Sequence, residues 1–284
     1  MPYLGAHMSV AGGLHLAFAH LRTVGGEALQ IFTRNQRQWR AAPVTPTEAQ
    51  VFRAAWQEAG QPPIVSHDSY LINLASPKPE VAAKSVQALA DELERCAVLG
   101  IPSLIMHPGA HLGAGVEAGI ALVARNLDAA IERAAKAEGV SVLLENTAGQ
   151  GTTLGGHFAE LAGIIAASRH PARLGACFDT CHAFAAGYDL RTPAAYRQTF
   201  AEFEGTIGLR RLKFFHLNDA IKGLGSHLDR HTHIGQGEIG LEGFRLLLND
   251  RRFAHHPMVL ETPKAADLAE DIENLRVLRG LLRG

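Results

Sequence analysis

Leu104-Ile105-Met106-His107 is a short apolar run that ends on a residue able to bind divalent metals, and five other segments have the same form. These five are Ile64-Val65-Ser66-His67, Val142-Leu143-Leu144-Glu145, Ala176-Cys177-Phe178-Asp179, Lys213-Phe214-Phe215-His216 and Met258-Val259-Leu260-Glu261. Successive endpoints are 34 to 45 residues apart, an interval that suits one strand, one helix and two loops. The chain therefore repeats a strand–helix unit.

The repeated runs predict parallel strands that are buried on both faces. Each run is too short for a helix, and a strand covered on both faces is continuously apolar. Parallel strands joined by helices have their C-terminal ends on one rim, so the six final side chains should converge. A single His after a strand is more often a loop residue than a ligand. Six residues of metal-binding type at the same end of a repeated unit favour a metal centre instead.

We predict one α/β domain over residues 1–284, a (β/α)8 TIM barrel with long loops on the catalytic rim. The first two strands are predicted at residues 3–8 and 28–33, and the other six end at the residues quoted above. The predicted helices cover residues 13–24, a segment after 46–48, 79–99, 115–137, 156–167, 193–204 and 265–282. No linker, charge block or low-complexity tract divides the chain.

Three long loops follow predicted strands, at residues 33–46, 68–78 and 217–240. Structureless connections of this length inside a compact domain usually have a function. They belong to the rim that carries the six endpoints, which is where barrel enzymes build their active sites.

Composition indicates a globular chain, with 47% hydrophobic and 19% charged residues. The start shows no signal peptide, and no window is apolar enough to span a membrane. Three Cys are too few for a disulfide framework, so we expect a cytoplasmic protein.

The charge balance gives no sign of nucleic-acid binding, because 27 basic and 28 acidic residues leave no excess of positive charge. Bound divalent ions would add positive charge at the rim, so a phosphate substrate is not excluded.

Two local pairs join the six endpoints as candidate metal ligands. Asp179 and His182 are three residues apart at a strand-to-helix turn, and Asp229 and His231 are two apart, on one side of an extended segment. The nine candidates are His67, His107, Glu145, Asp179, His182, His216, Asp229, His231 and Glu261. Five imidazoles and four carboxylates favour zinc, with manganese or iron as alternatives to it. Nine ligands suit two or three ions that share a bridging carboxylate.

Other residues near these candidates have less specific interpretations. Cys177 and Cys181 flank Asp179, and we interpret both as small core residues. We interpret His7, at the end of the first strand, as a support for a ligand. His227 and His233 flank the Asp229 and His231 pair, and either could be a phosphate contact or replace a residue in the ligand set.

Three motifs resemble the signatures of the endonuclease IV family, the trinuclear-zinc apurinic/apyrimidinic endonucleases. They are His67-Asp68-Ser69-Tyr70-Leu71-Ile72-Asn73-Leu74-Ala75, Cys177-Phe178-Asp179-Thr180-Cys181-His182, and His216-Leu217-Asn218-Asp219 with Asp229-Arg230-His231. The resemblance covers nearly the whole chain in matching order and spacing. Two positions depart from the family pattern: Ala176 replaces a larger aliphatic residue, and Ile221 replaces a Lys, with Lys222 beside it.

The resemblance implies three zinc ions per chain, with manganese possible at one site. The implied ligand sets are Glu145 with His67 and His107; Glu145 with Asp179, His216 and Glu261; and His182 with Asp229 and His231. The implied reaction is hydrolysis of the phosphodiester 5′ to an abasic site, which leaves a 3′-hydroxyl and a 5′-deoxyribose phosphate. Removal of 3′ blocking groups is also implied, with Glu145 and Glu261 as catalytic residues.

Recognition of double-stranded DNA with abasic sites must come from the rim loops, because an abasic site has no base edge to read. Residues 34–40 interleave three Arg with amides and an aromatic, and they resemble the family's DNA-inserting loop. The segment Tyr70-Leu71-Ile72 offers an apolar wedge, and such wedges unstack duplex DNA. The predicted DNA-binding residues are Arg37, Tyr70 and Leu71, in a monomeric protein.

Two other functions compete with this interpretation. A xylose-isomerase-like sugar isomerase or epimerase shares the architecture, but it needs only one or two divalent metals and gives Asp229 and His231 no role. A non-enzymatic damage-binding scaffold needs a structural metal site, and such sites are closed and usually isolated. A shared multinuclear site on a rim with long loops argues against the scaffold.

Overall fold

Eight parallel strands close into a barrel, which confirms the predicted fold class. The computed structural model describes residues 1–283, so Gly284 of the predicted domain lies outside the described residues. The barrel strands are β1 (Tyr3–His7), β2 (Ala28–Phe32), β3 (Ile64–His67), β4 (Ser103–Met106), β5 (Ser141–Glu145), β6 (Leu174–Asp179), β7 (Leu212–His216) and β10 (Pro257–Leu260). A small antiparallel hairpin, β8 (Asp219–Ala220) with β9 (His231–Thr232), forms within the long loop after β7.

Helices connect the barrel strands. They are α1 (Leu16–Thr23), α2 (Pro46–Glu58), α3 (Pro79–Leu99), α4 (Val116–Arg133), α5 (Phe158–Ala167), α6 (Thr180–Ala186), α7 (Pro193–Thr206), α8 (Gly240–Leu248) and α9 (Ala269–Gly280). α2 begins at a capping box, in which the Thr45 side chain accepts from the Glu48 N–H and the Glu48 carboxylate accepts from the Thr45 N–H. α3 ends at Gly100, whose φ of 83° is left-handed.

The structure corrects several predicted helix boundaries and adds two helices. α1 begins at Leu16 rather than residue 13, because Gly12 and Gly13 have positive φ angles that do not continue a helix. α9 begins at Ala269 rather than residue 265, after Leu268 in a left-handed conformation. α6 and α8 were not predicted from the pattern, and both lie between barrel strands as crossover segments.

The barrel interior holds a layer of seven buried side chains separate from the larger core between sheet and helices. These are Ala28, Val65, Ile105, Leu143, Cys177, Phe214 and Val259. Side chains alternate between the two faces of a strand, so the residue two positions later points to the same interior. Those seven later residues are Gln30, His67, His107, Glu145, Asp179, His216 and Glu261. Six of the nine candidate metal ligands, together with Gln30, therefore form the next layer of the barrel interior.

β1 approaches β2 so closely that one position accepts only glycine. A Cβ built on Gly5 would lie 1.7 Å from the backbone oxygen of Ala28. This oxygen belongs to the paired strand, since Gly5 is in register with Ala28, and it cannot rotate away. The backbone of one strand must therefore move if any side chain is added.

We predict that Gly5→Ala destabilises the fold by at least about 3 kcal/mol, because the clash is with backbone rather than with a flexible side chain. The control is Gly205→Ala in α7, where a Cβ meets nothing within 4 Å. That change should be neutral or stabilise by roughly 0.5–1 kcal/mol, since alanine favours a helix. Urea unfolding of both variants measures the difference, and equal midpoints would contradict the close-approach argument.

Candidate metal centre

The nine predicted ligands come together at the C-terminal mouth of the barrel. Among residues 1–283, four groups of possible donor atoms have members within 4.8 Å of one another, and three of them consist of predicted ligands alone. These three groups are His67, His107 and Glu145; Glu145, Asp179, His216 and Glu261; and His182, Asp229 and His231. The fourth joins Cys181 to Asp179 and His231. Every predicted ligand belongs to one of the three groups, and Glu145 belongs to two of them.

Glu145 is the central residue of the cluster, and its side chain is 0% exposed. One carboxylate oxygen, Oε2, lies 3.1 Å from Nε2 of His67 and 3.1 Å from Nε2 of His107. The other oxygen, Oε1, lies 3.0 Å from Nδ1 of His216 and 3.1 Å from Nδ1 of His182. The two oxygens thus face different sets of imidazoles, which is the geometry of a bridging carboxylate.

The group around His216 lies deepest in the barrel. Nδ1 of His216 is 3.3 Å from Oε2 of Glu261 and 3.8 Å from Oδ2 of Asp179. Asp179 is wholly buried and Glu261 is mostly buried. Three carboxylates thus converge on one imidazole nitrogen, an arrangement that needs more positive charge than one proton supplies.

The third group is the most accessible, because Asp229 has 44% of its side chain exposed. Nε2 of His182 lies 3.2 Å from Oδ2 of Asp229, and Nε2 of His231 lies 3.2 Å from Oδ1. Asp219 shapes the loop that carries this group, since its carboxylate accepts from the N–H groups of Gly235, Gly237 and Ile239.

Hydrogen bonds orient the rings of His67, His182 and His216 toward their donor groups, although Nδ1 of His182 also lies 3.1 Å from Oε1 of Glu145. Nδ1 of His67 donates to the Asp68 carbonyl at 2.9 Å, and Nδ1 of His182 donates to the Asn146 carbonyl at 3.0 Å. Nε2 of His216 donates to Oε1 of Gln30 at 2.7 Å. The opposite nitrogen in each ring faces its donor group, as expected for metal-binding histidines. Within the described residues 1–283, Nε2 of His231 is buried without a hydrogen-bond partner, and it lies 3.2 Å from Oδ1 of Asp229.

The pKa shifts of Glu145 and His67 show how strongly the charges in the cluster depend on one another. Burial raises the pKa of Glu145, yet His216 and His107 outweigh it and hold that pKa well below its usual range. Burial lowers the pKa of His67, but the hydrogen bond and charge of Glu145 raise it to about 9. A divalent cation among these atoms supplies the same compensating charge and leaves the imidazoles neutral, which is the form that binds metals. The donor set therefore fits divalent cations.

Several polar residues that support the cluster were missed from the sequence. Asn218 donates to Oδ2 of Asp179 at 2.6 Å and accepts from the Glu261 N–H at 2.9 Å. Asn146 accepts from the Asp179 N–H at 2.8 Å. Gln30 donates to Oε1 of Glu261 and to Nδ1 of His7. The available signal was a buried amide within or just after an apolar strand.

Other candidates near the cluster have different partners. Burial raises the pKa of the Cys181 thiol to about 12, although its sulfur lies near Asp179 and His231. Nδ1 of His227 lies 3.0 Å from the Ala148 carbonyl, outside the three groups. Nδ1 of His233 contacts the side-chain amide of Asn274 at 3.1 Å. These contacts favour the nine-residue set as predicted.

The predicted DNA-binding residues lie on the rim beside the cluster, with differing exposure. Tyr70 is 66% exposed and Arg37 is also exposed, whereas Leu71 is half-buried. The ring of Tyr70 lies 5.7 Å from the ring of His67. Ile72 is buried in the core, so fewer residues are available for the wedge than the sequence suggested.

None of the helices in residues 1–283 combines the length and the apolar character that a membrane-spanning segment needs.

Comparison with known proteins identifies similar chains over the full length. Residues 18–279 match a family model described as a xylose isomerase-like TIM barrel. A protein from Chloroflexus aurantiacus named "Probable endonuclease 4" is 55% identical, over 100% of this chain and 99% of its own length. Endonuclease IV from Thermus thermophilus superposes with a TM-score of 0.88 at 38% identity, covering 99% of this chain and 98% of that one.

A D-tagatose 3-epimerase-like protein has the same fold, with a TM-score of 0.74. Its sequence identity is 20%, over 98% of this chain and 96% of that chain. The likeness extends to the barrel architecture alone.

We predict that Gln30→Ala weakens divalent-metal affinity by roughly 10- to 100-fold, the usual effect of removing a partner that orients ligands. Gln30 holds His216 and Glu261 at once, so both lose their fixed orientation. Competition against a chromogenic chelator measures the affinity. Gln57→Ala, at an exposed position of α2, is the matched control. Unchanged affinity in the Gln30 variant would mean that the barrel alone positions these donors.

Proposed function

The chain belongs to the endonuclease IV family, and we propose that it is a DNA-repair endonuclease acting on abasic sites. It hydrolyses the phosphodiester 5′ to the lesion, leaving a 3′-hydroxyl and a 5′-deoxyribose phosphate, and it also removes 3′ blocking groups. The observation that carries the proposal is the cluster of nine donors around buried Glu145. The full-length identity of 55% to a protein named as an endonuclease supports the same activity.

The proposed cofactor is zinc, three ions per chain, with manganese possible at one site. The three groups of donors support this number, because each offers enough nitrogen and carboxylate ligands for one ion. Glu145 would help to hold two of the ions, since its oxygens face two sets of imidazoles. The more accessible group of His182, Asp229 and His231 would hold the third.

The protein's own carboxylates and imidazoles would hold the metals at this centre. When bound, the metals supply Lewis-acid activation of water and of the phosphate. Glu145 and Glu261 are the proposed catalytic residues because they would hold the metals from the barrel interior, at the bottom of the mouth. Their burial keeps the local dielectric low, which strengthens every electrostatic interaction with a phosphate brought to the rim.

Recognition of the lesion is assigned to Arg37, Tyr70 and Leu71 on the rim. Exposed Tyr70 stands beside His67, so an inserted aromatic ring enters the duplex next to the metal centre. Unstacking is cheapest where pairing is already lost, which favours an abasic site over intact DNA. The substrate is double-stranded DNA, and we propose that the protein acts on it as a monomer in the cytoplasm.

The alternative is a sugar isomerase or epimerase, which the barrel architecture alone would also accommodate. The third donor group favours the nuclease, because an enzyme with one or two metals has no use for Asp229 and His231. Metal analysis separates the two functions. About three zincs per chain supports the nuclease, and one or two manganese ions supports the isomerase.

We predict that the metal-loaded protein cleaves a duplex containing one abasic analogue, and that Glu145→Gln and Glu261→Gln each abolish cleavage. A neutral amide removes charge that holds a cation and, at position 145, the bridge between two. Strand cleavage on a denaturing gel is the measurement, with exposed Glu138→Gln as the control. Near-normal cleavage by either site variant at full metal content would refute the assignment.

We also predict that Arg37→Ala with Tyr70→Ala weakens binding to abasic duplex by a few kcal/mol, about the cost of unstacking. Metal content and hydrolysis of a small activated phosphodiester should be unchanged, because neither residue is a proposed ligand. Arg22→Ala, an exposed change on α1, is the charge control. Parallel losses on both substrates would show that these residues support the fold, and the wedge would be rejected.

A further inference from the structure

One turn of α3 holds two loops of the rim together. We name the residues between β2 and α2 the β2 loop (33–45) and those between β3 and α3 the β3 loop (68–78). The β2 loop carries Arg37, and the β3 loop carries Tyr70. Glu92 and Arg95 are three residues apart on α3. Glu92 contacts both loops, and Arg95 contacts the β2 loop.

We propose that Glu92 is a positioning residue that fixes the β2 and β3 loops relative to each other, and so sets the affinity for lesion-containing DNA. The inference rests on the proposed function for its consequence in DNA binding. Its structural part, the clamping of two loops from α3, does not depend on that function.

Glu92 reaches both loops from a fully buried position. Its Oε1 accepts a hydrogen bond from the Ser69 N–H at 3.1 Å, at the start of the β3 loop. The same oxygen lies 3.9 Å from Nε of Arg34, whose side chain is 1% exposed in the β2 loop. Arg34 in turn donates to the Gln38 carbonyl across the turn that presents Arg37. One carboxylate therefore connects the backbone of one loop to the guanidinium of the other.

Arg95 and Ser69 complete the clamp. The Arg95 guanidinium donates to the Ala42 carbonyl at 2.6 Å and to the Thr33 carbonyl, so it holds both ends of the β2 loop. The Ser69 hydroxyl donates to the Gln36 carbonyl at 3.0 Å, directly joining the two loops. These bonds are made to backbone atoms, so they fix the path of the chain rather than one side chain.

The β2 loop depends on this clamp because only Trp39 and Val44 of its apolar side chains pack, partly buried, against the core. Asn35, Arg37 and Gln38 are exposed, so polar anchors must offset much of the loop's ordering entropy. Burial raises the pKa of Glu92 to about 7, while the charge of Arg34 lowers it. Removing the carboxylate leaves the Arg34 guanidinium buried without its counter-ion, which is strongly unfavourable.

The clamp acts beside the metal centre but not through it. Glu92 has no hydrogen bond to any of the nine candidate ligands among residues 1–283. His67, two residues before Ser69, is held by the Asp68 carbonyl and by Glu145. Loss of Glu92 should therefore change where Arg37 and Tyr70 stand and leave the donor groups in place.

The test compares Glu92→Gln with Glu80→Gln, an exposed change in the first turn of the same helix. Hydrogen–deuterium exchange of the β2 and β3 loops reports the clamp without reference to any activity. Binding to an abasic duplex, hydrolysis of a small activated phosphodiester and metal content are measured on the same samples. Arg95→Gln, at a half-buried position, is the second variant in case Glu92→Gln does not fold.

We expect exchange in both loops to rise, DNA affinity to fall on the order of 10-fold or more, and small-substrate hydrolysis and metal content to stay unchanged. Unchanged loop exchange in both variants would overturn the clamp. Faster loop exchange with unaltered DNA affinity would overturn its role in recognition. A wild-type protein that neither binds nor cleaves the abasic duplex would refute the proposed function, and the exchange data would still decide the clamp.

Discussion

The two-residue alternation of the barrel strands is the constraint on which the metal centre depends. Leu143 and Glu145 point to the same side of β5, one into the apolar interior layer and the other into the layer above it. The same step relates Phe214 to His216 on β7. A shift of one residue in any strand would turn its ligand toward the helices. Closure of the barrel and convergence of the ligands therefore depend on the same strand register. The close approach of β1 to β2 at Gly5 is part of that closure.

Charge balance is the second condition, because three largely buried carboxylates and the more exposed Asp229 share the mouth of the barrel. Glu145 alone has imidazole nitrogens from four histidines within about 3 Å of its two oxygens. Buried like charges of this density are tolerated only when cations or protons compensate them. Amides such as Gln30 and Asn218 orient the donors without adding charge. The supporting residues are thus neutral for a physical reason, since further carboxylates would increase the uncompensated charge.

The sequence predicted the barrel and six of the converging residues from the repeated strand ends, and it added His182, Asp229 and His231 from two local pairs. His107 and Glu261 could be placed even though their strands end one residue earlier, at Met106 and Leu260. The amides could not be assigned, since a lone Gln30 in an apolar strand has no spacing signature. α6 was missed because its cap is Asp179, a residue already interpreted as a ligand. Burial of Arg34 and Ile72 also escaped prediction, because loop exposure depends on contacts with α3 and the core.

The candidate metal ligands and the proposed DNA-binding residues lie on parts of the molecule that differ in rigidity. Most of the donors lie on or directly after barrel strands, where backbone pairing on both sides leaves little freedom. Arg37 lies on the β2 loop, which α3 contacts through a few polar bonds, whereas Tyr70 lies on the β3 loop, which also buries Ile72 and Leu74 in the core. The barrel architecture alone therefore does not decide what such a protein acts on, because the loops can be exchanged without disturbing strand register. In the function that we propose, affinity for a lesion-containing duplex would depend on how firmly the helix behind the rim holds those loops, which is a property of buried residues such as Glu92.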